Sequence, residues 1–182
     1  MLFRSSPRST DDIDDFSKYG EIRSWEFPGA HGVLWDPPTK SKPGVLWALG
    51  DGRLYGYTVE GSGWQTRLNR WRTEEFEHPG AQMGHDLQPD YTQPGNLLLT
   101  DSKGVYTYDV DKAKFTTISH RKRVKSIARH ASGEYVWIVG SPSNHEMGTR
   151  VSMGSTPGNA TDERGWDDAQ FYKARIFSPA YE

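Results

Sequence analysis

Short apolar or alternating segments recur along this chain, and turns rich in glycine, proline, aspartate or serine separate them. Their spacing of about 8–12 residues is typical of a sandwich or a propeller of short antiparallel strands. No 3.6-residue periodicity competes with this pattern. The predicted strands are residues 21–27, 32–36, 45–50, 54–59, 66–71, 86–88, 96–100, 105–110, 115–118, 124–129, 135–140, 150–153 and 171–177.

The order of these segments repeats three times. Each repeat has a first strand, a turn, a fully apolar strand, a tight turn and a further strand, which alternates with aromatic residues in the first two repeats. The repeats begin at His31, His85 and Lys125. One blade per repeat, with a middle strand buried on both faces, is the arrangement of a β-propeller. The sequence therefore predicts an all-β fold of about three four-stranded blades.

Two further segments match single strands of incomplete blades. Residues 21–27 look like the outer strand of a preceding blade, and residues 172–179 align with residues 30–37 of the first repeat. Because about four to eight blades close a ring, three blades leave open edges. We expect half of a six-bladed ring, completed by a second copy of the chain or by a separate chain. The expected organisation is a flexible lead-in over residues 1–18, with a helical turn at 11–16, and one half-propeller domain over 19–182.

Composition narrows the classes of partner. The formal net charge is -2 and the pI is near 6.3, so bulk electrostatics favour neither nucleic acid nor a membrane surface. The chain has no cysteine, which leaves no disulfide, thiol nucleophile or cysteine-based zinc site. Its first residues hold no apolar run of signal-peptide length. The chain as given predicts a cytoplasmic protein, or a secreted one if a leader lies upstream.

Five motifs follow one another in order: PGAHGVLWDP at 28–37, LWALG at 46–50, GHDLQP at 84–89, VKS at 124–126 and FYKAR at 171–175. Together they resemble the C-terminal half of a family of six-bladed propeller proteins of unknown function, over roughly residues 20–178. More distantly, the chain is similar to oligogalacturonate-lyase-type propellers, in which first-strand histidines and a glutamine hold a divalent metal. That similarity implies His31, His85 and Gln88 as the matching positions.

One polar residue begins the first strand of each blade, and these residues are His31, His85, Lys125 and Lys173. We expect all four to point toward one end of a central channel, where convergent polar groups are typical of ligand binding. Histidines suit a divalent transition metal, whereas lysines favour a carboxylate or phosphate. Asp86 belongs to the same candidate site, where it either orients the His85 ring or caps a turn.

Two classes of function follow from this row. The first is a carbohydrate- or small-acid-binding protein, which extends to a metal-assisted lyase or isomerase with Lys125 and Lys173 as catalytic candidates. In that version His31 and His85 hold a divalent metal as the cofactor. The second is a non-catalytic protein-interaction scaffold or a self-assembling half-propeller. A purely structural interpretation is the alternative to both classes of function: the four polar residues line a water-filled channel. The basic run at 120–125 is interpreted as a solvated loop.

Overall fold

The computed structural model describes residues 2–4, 21–40, 42–62, 65–75 and 84–176, and only the backbone of 2–4 and 21–24. Within these residues the regular elements are β-strands and one 3-10 turn at Pro142–Asn144. No helix in this part of the chain has the length and hydropathy needed to cross a membrane.

The strands form three four-stranded antiparallel sheets and one two-stranded pair, each sheet taking its strands in chain order. The pair joins β1 (Leu2–Arg4) to β2 (Glu21–Ser24). The first sheet contains β3 (Ala30–Asp36), β4 (Val45–Gly50), β5 (Arg53–Glu60) and β6 (Arg67–Glu75). The second contains β7 (Asp86–Pro89), β8 (Asn96–Thr100), β9 (Val105–Asp109) and β10 (Lys114–Ser119). The third contains β11 (Val124–Arg129), β12 (Tyr135–Val139), β13 (Arg150–Gly154) and β14 (Asp162–Gly165).

The second strand of each sheet carries most of the core. Every residue of β4 is buried, and four of the five residues of β8 are buried. A strand that is apolar on both faces must be covered on both faces, which a stack of sheets provides. The outermost strands are polar instead, and β14 reads Asp-Glu-Arg-Gly. Charged outer strands discourage further edge pairing.

The sheets pack face to face like consecutive blades. Their first strands lie side by side, since β3 contacts β7 and β7 contacts β11. Trp47 and Tyr108 meet between the first and second sheets, with ring centroids 5.8 Å apart. Leu98 and Trp137 belong to the apolar cluster between the second and third sheets. These two layers of buried side chains hold the three sheets together.

The all-β prediction and the repeating four-stranded pattern are confirmed. Three predicted strands, 45–50, 96–100 and 124–129, have the observed bounds. Two observed strands, Leu2–Arg4 and Asp162–Gly165, were not predicted because neither has an alternating apolar pattern long enough to detect.

A strand was expected at 171–177, and over residues 171–176, the part that the structure describes, none is formed. Phe171 makes an isolated bridge to Gly148. The ammonium of Lys173 donates to the carbonyl of Lys125, and the backbone N–H of Ala174 donates to the hydroxyl of Ser126, so these residues contact β11 without a strand ladder. The helical turn expected at 11–16, and most of the lead-in at 1–18, fall outside the described residues.

Candidate functional site

Two of the predicted site residues occupy β-bulges. His31 is the extra residue between Ala30 and Gly32, where the register of β3 against β4 shifts. Lys125 is the extra residue between Val124 and Ser126 in β11. A bulge bends the strand and redirects the extra side chain, and such bulges are over-represented beside functional sites. The same irregularity therefore recurs at the same place in two blades.

His31, His85 and Lys125 come together at one end of the first strands, and we call them the first-strand cluster. The rings of His31 and His85 stand nearly perpendicular, with centroids 6.0 Å apart. Nζ of Lys125 lies 3.4 Å from Nε2 of His85 and 3.2 Å from Oε2 of Glu146. His85 and Lys125 are buried, whereas His31 is exposed at the rim. The cluster therefore has a buried base and an open edge.

Burial, and next the ammonium of Lys125, lower the pKa of His85 to about 4. Partial burial and the charges of Lys173 and Lys125 also lower the pKa of His31. Both rings are therefore neutral at pH 7. The ammonium of Lys125 donates to Nε2 of His85, so the ring proton is assigned to Nδ1. That buried Nδ1 has no hydrogen-bond partner among the described residues. A buried donor without an acceptor costs about 1–3 kcal/mol, which packing alone does not favour.

Lys173 reaches the same end of the sheets but has a different role. Its ammonium donates to the carbonyl oxygens of His85 and Lys125, the second at 2.7 Å, and to Oδ1 of Asp86 at 3.2 Å. Burial lowers the pKa of Lys173, and the Asp86 carboxylate opposes that shift. Because three acceptors already use the three N–H groups, Lys173 has no donor left for a ligand. Lys173 fastens residues 172–176, which we call the C-terminal segment, to the second and third sheets.

Asp86 is the acceptor that this fastening depends on. Its side chain is 2% exposed and accepts from the backbone N–H of Ile127 at 2.9 Å. It also accepts from Lys173 and from both terminal nitrogens of Arg175. These contacts join β7, β11 and the C-terminal segment. They leave the hypothesis that Asp86 orients the His85 ring without support in the described contacts.

The remaining predicted ligand, Gln88, donates to the carbonyl of its neighbour Leu87 at 2.5 Å. It follows Asp86 by two residues in β7, so both side chains lie on the face opposite Leu87. Among the described residues there is no group of three or more histidine, cysteine, aspartate or glutamate side chains that could hold a metal ion. The metal hypothesis therefore has His31 and His85 as its ligands, with an ammonium group beside them.

Sequence reasoning missed Glu146 and Arg175. Glu146 lies in the loop between β12 and β13, has a positive φ of 65° and pairs with both Lys125 and Arg123. Nothing in its sequence neighbourhood marks it as a partner of a first-strand lysine. Arg175 follows Lys173 by two residues, so a two-residue spacing of cations in the FYKAR motif was the available signal.

Comparison with known proteins bears on the fold alone. No protein-family model matches the chain, and no curated protein matches it. Among solved structures, a chain in a humanized mutant of the Chaetomium thermophilum Polycomb Repressive Complex 2, bound to the inhibitor GSK126, has a TM-score of 0.50 at 15% identity. The match covers 79% of this chain and 30% of that chain, so this chain spans less than a third of its length. The likeness agrees with propeller-like blades.

Proposed function

We propose that this chain is a propeller module that binds a small carboxylate-bearing molecule, such as an acidic sugar, at the first-strand cluster. The observation that carries the proposal is the convergence of His31, His85 and Lys125 at one place, with two of the three on β-bulges. Bulges that re-aim polar side chains into one spot serve recognition better than they serve packing.

Charge favours an anion over a cation at this cluster. The cations within its contact network are Arg123, Lys125, Lys173 and Arg175, and the carboxylates are Asp86 and Glu146. Lys125 uses two donors, on His85 and Glu146, and keeps a third for a ligand oxygen. Neutral His31 at the rim adds a donor and an acceptor for hydroxyl groups.

The proposal is binding without a catalytic step. His85, with a pKa of about 4, is a weak base at neutral pH, and all N–H groups of Lys173 are used within the protein. A metal-assisted lyase or isomerase stays a prediction from sequence. The distant similarity to oligogalacturonate-lyase-type propellers supports the choice of acidic sugar as the first probe.

Isothermal titration calorimetry with galacturonate, and with galactose as the uncharged counterpart, tests the proposal. We expect galacturonate to bind, galactose to bind at least tenfold more weakly, and Lys125→Met to remove the difference. Lys122→Met is the matched control, because Lys122 is exposed three residues before Lys125. Equal binding of the two sugars, or equal losses in the two lysine variants, would overturn the proposal.

We also propose that two copies of this chain complete a six-bladed ring. The face of β3 that points away from the second sheet carries Val33, which is 41% exposed, and Trp35, which is 43% exposed. A blade of a second copy would cover both side chains. Size-exclusion chromatography with light scattering should give about twice the chain mass of 20.6 kDa, and a monomer for Trp35→Ser. A monomeric, folded wild-type protein at all concentrations would contradict this closure.

A further inference from the structure

A second polar depression lies on the third sheet, apart from the first-strand cluster. It is a groove of about 470 Å³ above Trp137 and Val139 of β12. Arg121 and Arg123, from the loop between β10 and β11, form one wall, and Arg150 of β13 contributes from the sheet. We call this the arginine groove. Its volume lies within the usual range of about 300–1,000 Å³ for small-molecule sites.

Within the described residues, the three guanidinium groups form either no ion pair or an exposed one. Arg121 makes no ion pair within the part of the chain that the structure describes. Arg123 lies 3.4 Å from Glu146, and both of these side chains are about half exposed. Arg150 pairs at 2.6 Å with Asp167, whose side chain is 98% exposed. Exposed ion pairs of this kind are weak because water screens both charges, so a ligand anion can replace them.

The backbone at the arginine wall is held in an unfavourable conformation. Arg123 has φ of 62°, in the left-handed region that glycine adopts most readily. For other residues that region is unfavourable, because Cβ comes too close to the following carbonyl oxygen. The carbonyl of Arg123 accepts from the N–H of Gly140 at 2.9 Å, which anchors the bend to β12. A side chain kept at a strained position beside a groove is consistent with a functional role.

The rest of the lining indicates the ligand class. Hydroxyl groups come from Ser141, Thr149 and Ser152, and Glu163 accepts from Ser152 at 2.8 Å. Guanidinium forks match the geometry of phosphate oxygens, while hydroxyls and a carboxylate suit the hydroxyl groups of a sugar. Three arginines and one glutamate line the groove, and two of the arginines pair with exposed carboxylates outside the lining, Glu146 and Asp167. A phosphate monoester carrying about -1.5 to -2 at pH 7 would pair with Arg121 and displace these two carboxylates.

We propose that the arginine groove binds a sugar phosphate, with the phosphate between Arg121 and Arg123 and the sugar toward Glu163. The basic run at 120–125 was interpreted from sequence as a solvated loop, and in this proposal two of its arginines, Arg121 and Arg123, form part of a binding surface. Lys125 of the first-strand cluster does not line the groove, although Glu146 pairs with both Lys125 and Arg123 and so joins the two sites.

Calorimetric titration with glucose 6-phosphate, inorganic phosphate and glucose at constant ionic strength separates the sources of affinity. We expect glucose 6-phosphate to bind about tenfold more tightly than inorganic phosphate, and glucose alone to give no detectable binding. Glu163→Gln should weaken glucose 6-phosphate without affecting inorganic phosphate. Equal affinities for glucose 6-phosphate and phosphate would overturn the assignment of a sugar phosphate.

Arg121→Gln is expected to weaken glucose 6-phosphate about tenfold. Lys122→Gln is the matched control, because Lys122 is the adjacent cation and does not line the groove. His31→Gln, which alters the first-strand cluster and leaves the two ion pairs of Glu146 in place, should leave this binding within about twofold of the wild type. Urea unfolding of each variant establishes that the fold is intact. Equal losses in Arg121→Gln and Lys122→Gln would show non-specific attraction and overturn the site.

Discussion

Arg175 binds Asp86 through both ends of its guanidinium group, with Nη2 2.7 Å from Oδ1 and Nη1 3.1 Å from Oδ2. The carboxylate is almost fully buried, whereas the arginine side chain is 42% exposed. The pair links the C-terminal segment to the first strand of the second sheet. Replacing the buried carboxylate should therefore cost more stability than replacing the half-exposed arginine.

Asp86→Asn should lower the free energy of unfolding by about 3 kcal/mol, because it leaves the ammonium of Lys173 without its carboxylate partner. Arg175→Gln should cost under about 1 kcal/mol, since the arginine is solvated and Asp86 keeps Lys173 and the N–H of Ile127. Urea denaturation followed by tryptophan fluorescence measures both. Equal costs for the two variants would contradict the central position of Asp86.

The protein should become less stable as the pH is lowered, because of the titration of His85. An unfolded histidine has a pKa of about 6.5, while the folded value is about 4, so between these pH values the unfolded chain binds the extra proton. The free energy of unfolding should decrease by about 3 kcal/mol as pH falls from about 6.5 to 4, and this contribution is complete above pH 6.5. Lys125 and His31 oppose protonation of the ring, and Glu146 favours it.

Urea titrations between pH 4.5 and 7.5 of the wild type and of His85→Gln measure this contribution. The variant should lose most of the dependence. Parallel curves for the two proteins would assign the pH dependence to other groups.

The close approach of β3 to β7 requires glycine at position 32. A Cβ there would lie 2.8 Å from Cβ of Leu87 and 3.2 Å from its backbone nitrogen, where neither atom can move without moving the strand. Gly32→Ala should therefore cost about 1–3 kcal/mol, measured by thermal or urea unfolding. Val33→Ala, on the exposed face of the same strand, is the control and should cost less than Gly32→Ala. If Gly32→Ala left the stability unchanged, the first and second sheets would have to lie further apart than this contact implies.

Ala113 offers a stabilising substitution. It lies in the turn between β9 and β10 with φ of 51°, a left-handed conformation that costs alanine about 1 kcal/mol. Ala113→Gly should raise the free energy of unfolding by up to about 1 kcal/mol, reduced by the greater entropy of the unfolded chain. Ala30→Gly, within β3, should instead destabilise by about 0.5–1 kcal/mol. The same sign for both changes would contradict the turn conformation.

The sequence was sufficient for the sheets because apolar middle strands and glycine turns are local signals. Val45–Gly50 and Asn96–Thr100 were predicted with their observed bounds, since each is a continuous apolar run between turns. It was insufficient for Asp162–Gly165, whose four polar or small residues form a strand because β13 pairs with them. Strand formation there depends on tertiary pairing and not on intrinsic propensity.

The site was predictable in part for a similar reason. The internal repeat placed His31, His85 and Lys125 at equivalent positions, and the structure brings them together. The partners of Lys173 are backbone carbonyls, which every residue has, so no sequence signal separated a lysine that fastens a segment from one that faces a ligand.

The bulges at His31 and Lys125 also bear on how this fold could diversify. An extra residue lies outside the two-residue alternation of its strand, so exchanging it transfers no core side chain to solvent. At the exposed His31 the residue type is therefore decoupled from the packing of the blade, whereas Lys125 is buried and packs beside Gly140. Related blades could acquire a different ligand preference through one substitution at an exposed bulge such as that of His31, while the selective constraint on the core stays unchanged.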